Sequence, residues 1–344
     1  MSIAPIAPIG PAALALRIQA IGAAETELVA AVDAAQVQPA APTAAEPAAQ
    51  PATPADPIRQ AVDAARADAA GRQASLAPLL ADLSQALARP DLPSVVKAAI
   101  GQVLAFQLPA GGPLTPEIIR QAVAQSGLFL EAHLAQAAPG AAAPPDLKAA
   151  LLTLLQALPP RPAGDLAPPP QRTAPPVRGA ALTAQAPAPS GLPAEADLAA
   201  VVQHLRPQVE QALARQTLHQ LASLPDGSTS AWMFELPIAT PQGAALAQFE
   251  VDRDAPEADA AGAEASWRVR FSVDIEPLGP VHVHLGMTGD RAAVTVWAER
   301  AGAVELLRGQ GDALAKALPA DVVFRLGAPS SPVPARGQFV DRAS

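Results

Sequence analysis

One passage near the C-terminal end of the sequence constrains the fold more than any other. Residues 271–299 read FSVDIEPLGPVHVHLGMTGDRAAVTVWAE, and apolar and polar residues alternate through them except at positions 277–280 and 289–290. Alternation with a period of two is typical of strands that bury one face, and the two interruptions contain residues that turns prefer. The passage therefore predicts three antiparallel strands joined by short turns.

The neighbouring sequence extends this sheet. Residues 231–238 and 245–252 alternate in the same way, residues 267–275 place Trp267 on the apolar face, and VVFRL near position 324 forms a short last strand. Helices are predicted at 197–222, where Pro207 should kink or restart the helix, and at 302–318, where glycines weaken it. We therefore expect an α+β domain at 197–328, a compact antiparallel sheet with one or two covering helices.

The first half of the chain has a different character. The sequence contains 40 prolines, and much of its 50% hydrophobic content is alanine. Alanine and proline bury too little surface to offset a chain entropy of roughly 1–2 kcal/mol per residue. We expect a largely disordered Pro/Ala-rich N-terminal half with short helices: a disordered segment at 1–74, a Pro-rich linker at 159–196, and a disordered tail at 329–344.

Between these segments, residues 75–158 carry leucines at helical spacing. Thr115, followed by a proline, and Asp146 are placed to cap two of the predicted helices. The pattern favours four short helices, which either form a loose bundle or stay partly folded.

Charge and cysteine content limit the classes of partner. The net charge is −9 and no run of Lys or Arg is present, so nucleic acid is not expected as a partner. Cysteine is absent, which excludes disulfides and thiolate metal sites. The first 30 residues lack a basic region before their apolar stretch and contain prolines, so neither a Sec signal peptide nor stable membrane insertion is expected.

The sequence carries no recognisable catalytic motif. The sequence contains no GxxxxGK[ST] loop, no HExxH and no GxSxG, so we expect no enzyme activity and no cofactor. His282 and His284 share one strand face and are the best candidates for metal ligands, but spacing suggests no third ligand. A solvated face, on which Asp274 and Glu276 pair with the two histidines, is the favoured interpretation, and no metal is expected.

The turn at 277–280 and one tryptophan are the candidate interaction sites. Pro277 and Pro280 fix the backbone and lack N–H donors, which predicts a rigid corner in which neither proline extends the sheet. Leu278 on such a corner is a candidate docking residue, and Trp297, out of phase with its apolar neighbours, is expected on the outer face. The predicted partner-binding residues are Pro277, Leu278, Gly279, Pro280, Val281 and Trp297.

The order of alternating strand, PLGPV corner, strand, Gly turn, strand and Leu-rich helix resembles the C-terminal domain of flagellar hook-length control proteins. WRVRF before the corner and VTVWAE after it fit this resemblance, and SGLFLEAHLA with DLKAALLTLLQAL resembles a segment upstream of that domain. Gly309 and Gly311 depart from the family's pattern, which usually has good helix formers in the final helix.

The resemblance implies a non-enzymatic protein that is cytoplasmic before export and is then secreted through the flagellar type III apparatus. The extended N-terminal part samples hook length, and the C-terminal domain switches export from hook-type to filament-type substrates. The implied partners are the cytoplasmic domain of the autocleaving export-gate protein and the hook and hook-cap subunits. The protein is expected to be a monomer.

Two alternatives stay open at the level of sequence. One is a needle-length and substrate-switch protein of an injectisome. The other is a non-enzymatic scaffold in which the Pro/Ala-rich part only spaces a tethered binding domain.

Overall fold

The computed structural model describes residues 57–109, 111, 114–137, 144–160, 173–193, 195–225, 229–254, 266–289, 291–311 and 320–330. The chain divides into two units, residues 1–55 and 56–344, and all described residues belong to the second. Of the predicted disordered segment at 1–74, residues 1–56 lie outside the described residues, whereas a helix forms within its remainder at Pro57–Arg72. Residues 331–344 of the predicted tail also lie outside the described residues. The predicted division into five segments stays a prediction.

The structure describes seven helices before residue 229. Their bounds are α1 Pro57–Arg72, α2 Leu76–Leu87, α3 Ser94–Leu104, α4 Pro116–Ala124, α5 Leu130–Gln136, α6 Leu147–Ala157 and α7 Leu198–Ala222. The two predicted caps are confirmed. Thr115 Oγ1 accepts the N–H of Ile118 at 3.3 Å, and Asp146 Oδ1 accepts the N–H of Lys148 at 2.8 Å. Each cap supplies a partner for a backbone donor that the first helical turn leaves unpaired.

The leucines at helical spacing form a shared core. Leu79 and Leu83 of α2, Ile100 of α3, Leu151 of α6 and Leu205 of α7 are all buried in one cluster, together with residues of the sheet. The helix α7 runs without a break through Pro207, which is itself buried. The predicted restart at Pro207 is therefore wrong, because packing on both sides holds the helix together across the missing N–H.

Within the described residues, the sheet contains eight strands. They are β1 Leu108–Pro109, β2 Gln185–Ala188, β3 Thr229–Thr240, β4 Gly243–Asp254, β5 Ser266–Ile275, β6 Gly279–Thr288, β7 Arg291–Ala298 and β8 Ala320–Leu326. Their order is β1-β3-β4-β5-β6-β7-β8, with β2 beside β4. The strands β3 to β7 form the predicted antiparallel meander, while β1 pairs with β3 and β8 with β7 in parallel. The fold is α+β, and its sheet is mixed.

The two faces of the sheet are covered differently. On the first face, which we call the α8 face, Val281, Val294 and Val296 pack with Ala303 and Val304 of helix α8, Ala301–Gly309. On the second face, Ala244 and Leu246 of β4 pack against the helices. The part of the predicted 302–318 helix beyond residue 311 lies outside the described residues.

Part of the predicted linker packs onto the second face of the sheet. We call residues 173–192 the strap; it includes β2, which is antiparallel to β4. The N–H of Gly179 donates to Glu250 Oε1 at 2.9 Å, and Ser190 Oγ and the N–H of Gly191 both donate to Asp82 Oδ1 at 2.6 Å. This differs from the expected linker, because buried carboxylates far away in sequence pair with the polar groups of a proline-rich stretch.

A buried ion pair joins α7 to the sheet. Arg215 Nη2 donates to Glu235 Oε1 at 2.6 Å, and the side chains of Gln248 and Gln185 donate to the same oxygen at 2.8 and 2.6 Å. Burial alone would raise the pKa of Glu235, but the charges of Arg215 and His219 and the hydrogen bonds from Arg215 and Gln248 lower it to about 2. Burial lowers the pKa of His219 from 6.5 to about 4.

Across the described ranges, every helix is too short or too polar to cross a membrane.

Candidate partner-binding site

The corner predicted from PLGP lies between β5 and β6. Residues 276–278 form the turn, and β6 begins at Gly279, which is paired with Ile275 of β5. Gly279 is buried and has φ +69°, a backbone conformation that residues with a β-carbon rarely adopt. A β-carbon at this position would also clash with the side chain of Arg300. The corner therefore requires glycine for two separate reasons.

Arg300 ties the corner to the start of α8. Its Nη1 and Nη2 donate to Oε2 and Oε1 of Glu276 at 2.7 and 2.9 Å, and Nη1 also donates to the carbonyl oxygen of Pro277 at 3.3 Å. Hydrogen bonding to Arg300 lowers the pKa of Glu276, and the same bond raises the pKa of Arg300. A two-pronged guanidinium–carboxylate pair fixes orientation as well as distance. One side chain thus links the first two residues of the corner to the start of α8.

The two prolines play different roles. Pro277 is exposed in the turn, whereas Pro280 lies within β6 opposite Asp274. The carbonyl oxygen of Pro280 accepts the N–H of Glu299 at 3.1 Å. The prediction that neither proline extends the sheet is therefore wrong for Pro280, because its carbonyl still bonds although it has no N–H to donate.

Leu278 is less exposed to solvent than its predicted role as a docking residue suggests. Its side chain is half-buried and packs against the valine cluster of the α8 face, which includes Val281. Gly279 and Val281 are buried. The groups that the corner presents to solvent are Glu276, Pro277, Arg300 and the outer part of Leu278. The surface thus combines an apolar centre with an ion pair beside it.

The histidine pair differs from its prediction. His282 is buried between two partners: its Nδ1 lies 2.8 Å from Ser272 Oγ, and its Nε2 lies 3.0 Å from Glu299 Oε1. Glu276 pairs with Arg300 instead of with a histidine. The solvated face predicted here is wrong for His282, because the neighbouring strands supply a hydroxyl and a carboxylate that surround the ring. Among the described residues, no group of three or more potential ligands is placed to hold a metal ion.

Trp297 lies away from Leu278. It is half-buried in β7 opposite His282, on the face that Val281 does not share. The His284 ring meets it edge-on with the centroids 4.6 Å apart, and the Arg325 guanidinium lies 6.0 Å from the Trp297 ring centroid. Burial, Arg270 and His282 lower the pKa of His284. The six predicted residues therefore form two groups, the corner at 277–281 and Trp297 on the second face.

Sequence reasoning missed three residues at the site: Arg300, Glu299 and Ser272. Each acts through a partner on another strand or turn, and nothing in its local sequence distinguishes it from an ordinary polar surface residue. The buried glycine at position 279 was the one local signal, since the space that it leaves is filled by Arg300.

Part of this chain matches a known protein family. Residues 256–322 match the family model described as flagellar hook-length control protein FliK. Neither the curated proteins nor the solved structures contained a match to this chain. The matched segment contains β5 to β7, the 276–281 corner, Arg300 and α8. The C-terminal part of this chain is therefore a domain of the flagellar hook-length control family.

Proposed function

We propose that this protein is an exported ruler that limits hook length and then switches the flagellar type III apparatus from hook-type to filament-type substrates. The observation that carries the proposal is the family match over residues 256–322. Export would take the protein from the cytoplasm to the cell exterior. The role is non-enzymatic and rests on binding alone.

The corner is the proposed contact with the cytoplasmic domain of the autocleaving export-gate protein. Rigid contacts lose less conformational entropy on binding than flexible ones. The corner is rigid because Gly279 occupies a conformation that excludes other residues and Arg300 bridges to Glu276 and to the carbonyl of Pro277. Leu278, half-exposed at its centre, supplies the apolar contact.

The N-terminal half supplies the length. A fully extended segment of n residues spans at most about 3.3–3.6 Å per residue, so the part of the chain before α7 spans at most roughly 650–710 Å once its helices and the strap unfold for export. Frequent prolines favour extended over compact conformations. Contact of this part with hook and hook-cap subunits during export is the proposed means of sampling length.

The gate contact is tested by measuring the affinity of the full-length protein for the purified cytoplasmic domain of the gate protein by titration calorimetry. The informative variant is Leu278→Asp, which places a charge in the apolar centre of the corner. We expect binding to weaken at least about tenfold, the effect of losing roughly 1.4 kcal/mol.

A matched control lies at the far end of β6, the strand that follows the corner. Met287 of β6 is 40% exposed, so Met287→Asp makes the same chemical change far from the corner. Because Leu278 packs on the core, circular dichroism must first show that Leu278→Asp is folded, and Leu278→Ala provides a milder second variant. Unchanged gate affinity in folded corner variants would remove the corner from the proposal.

A further inference from the structure

The strand β8 forms an edge of the sheet. On its inner side it pairs in parallel with β7, and the N–H of Gly327 donates to the carbonyl of Ala298 at 2.9 Å. On its outer side no other strand of the described residues pairs with it. Backbone groups of successive strand residues point to opposite sides, so the N–H and C=O groups of Ala320, Val322, Phe324 and Leu326 point outward. These groups can bind another strand.

Two opposite charges on this edge have no counter-ion among the residues that the structure describes. Asp321 and Arg325 are exposed, share the second face of the sheet, and lie about 13 Å apart by strand geometry. Neither pairs with an oppositely charged side chain of the described residues, whereas Arg268 and Arg270 on the same face each have a carboxylate partner. Arg325 instead lies over the ring of Trp297.

Between these charges lies Val323, which is 44% exposed. The exposed side chains of β8 on the second face are therefore, in chain order, an acid, an apolar residue and a base. This pattern is its own complement when the strand direction is reversed.

We propose that two copies of this chain associate by antiparallel pairing of their β8 strands about a twofold axis at Val323. Such a contact is isologous, because each copy contributes the same surface. Asp321 then lies opposite Arg325 of the partner subunit, and the reverse pair forms on the other side of Val323. This inference departs from the monomer expected from the sequence and is independent of the proposed switch.

The backbone supports this register. In an antiparallel pair, residues that face each other alternate between hydrogen-bonded and non-hydrogen-bonded pairs. Pairing about Val323 sets Val322 opposite Phe324 of the partner subunit, and both residues have outward-pointing backbone groups. The charged pair at 321 and 325 then falls in a non-hydrogen-bonded pair, where side chains approach most closely.

Other arrangements lose this complementarity. Parallel in-register pairing would place Asp321 opposite Asp321 and Arg325 opposite Arg325, and like charges directly opposite each other are destabilising. An antiparallel pair shifted by two residues would leave both charges without partners. A strand this short buries less area than stable dimers do, so the association is expected to be weak and reversible.

The test uses the full-length chain, two charge variants and sedimentation equilibrium over a wide range of protein concentration. Asp321→Arg gives an edge with two bases, and Arg325→Asp gives an edge with two acids. The wild-type chain should dimerise reversibly. Each variant alone should dimerise at least about tenfold more weakly, because both symmetry-related pairs become repulsive. An equimolar mixture of the two variants should regain dimerisation, because each variant complements the other.

Both altered residues are exposed, so both variants should fold, and circular dichroism verifies this. A wild-type chain that stays monomeric at the highest concentration reached would overturn the proposal. A dimer that persists in both single variants, or a mixture that gains nothing over its components, would place self-association elsewhere and overturn it equally.

Discussion

Arg300 and Glu276 form a two-pronged ion pair across the corner between β5 and β6, with N–O distances of 2.7 and 2.9 Å. Gly279 leaves the space that the Arg300 side chain occupies. The corner, the start of α8 and the first residue of β6 therefore depend on one another, and a change at any of them should affect the other two.

Replacement of Gly279 by alanine should destabilise the protein. The residue has φ +69°, and the new β-carbon would displace Arg300. We expect the free energy of unfolding to fall by roughly 1–2 kcal/mol, measured by urea denaturation. Gly286→Ala in the same strand is the control, because a β-carbon there meets no atom within 4 Å. Equal effects of the two substitutions would contradict the account of the corner.

Removal of one partner of the buried Arg215–Glu235 pair should destabilise the protein. Arg215→Met leaves the Glu235 carboxylate buried without its guanidinium, and we expect a loss of about 3–5 kcal/mol in the free energy of unfolding. Glu235→Gln added to Arg215→Met should recover part of that loss, because the amide is neutral and its oxygen can still accept from Gln248. A double variant no more stable than Arg215→Met would show that the buried charge is not the cause.

The free energy of unfolding should decrease as the pH is lowered, because His219 is buried. Its pKa is lowered from 6.5 to about 4 in the folded state, so between these values the unfolded chain binds a proton that the folded chain does not. Stability should be fully present above about pH 6.5, decline as the pH falls towards 4, and lose about 3 kcal/mol over this window from this group.

Urea unfolding at a series of pH values measures this decline. The variant His219→Gln removes the titrating ring, so its unfolding free energy should depend less on pH between about 6.5 and 4. Identical pH dependence in variant and wild type would assign the effect to other groups, such as His284, whose pKa is also lowered.

Asp82 should hold the strap in place. Its fully buried carboxylate accepts from Ser190 and Gly191 and is contacted by His204 Nε2 at 2.7 Å. Asp82→Ala should lower the unfolding free energy by at least about 2 kcal/mol, because it leaves buried donors unpaired. Faster hydrogen exchange at the amides of 191–192 would report release of the strap.

Asp91→Ala is the control for this variant. Asp91 forms an ion pair with Arg89 at the surface, and no other salt bridge to it exists within the described residues, so its loss should leave exchange in the strap unchanged. Unaltered protection of the strap amides in Asp82→Ala would mean that the sheet contacts alone hold the strap.

The sequence was informative where structure is encoded locally. Alternation predicted β5 to β7 because each strand buries one face, and Thr115 and Asp146 were identified as caps because a cap acts within its own turn. The corner was located because proline restricts the backbone at its own position and glycine allows conformations that other residues rarely adopt.

The remaining features depend on contacts between distant residues. The strap could not be predicted because Ser190 bonds to Asp82, which lies 108 positions earlier, and its own composition favours a linker. The burial of His282 depends on Ser272 and Glu299 of neighbouring segments. The parallel orientation of β8 depends on the path of the chain between α8 and Ala320, which no alternation pattern encodes.

Electron microscopy of hooks from cells that lack this gene tests the central claim most directly. Complementation with the wild-type gene and with the Leu278→Asp variant extends the measurement to the corner. The account predicts overlong hooks without filaments in the deletion strain, restored by the wild-type gene and not by the variant. Hooks of normal length that carry filaments in the deletion strain would contradict it.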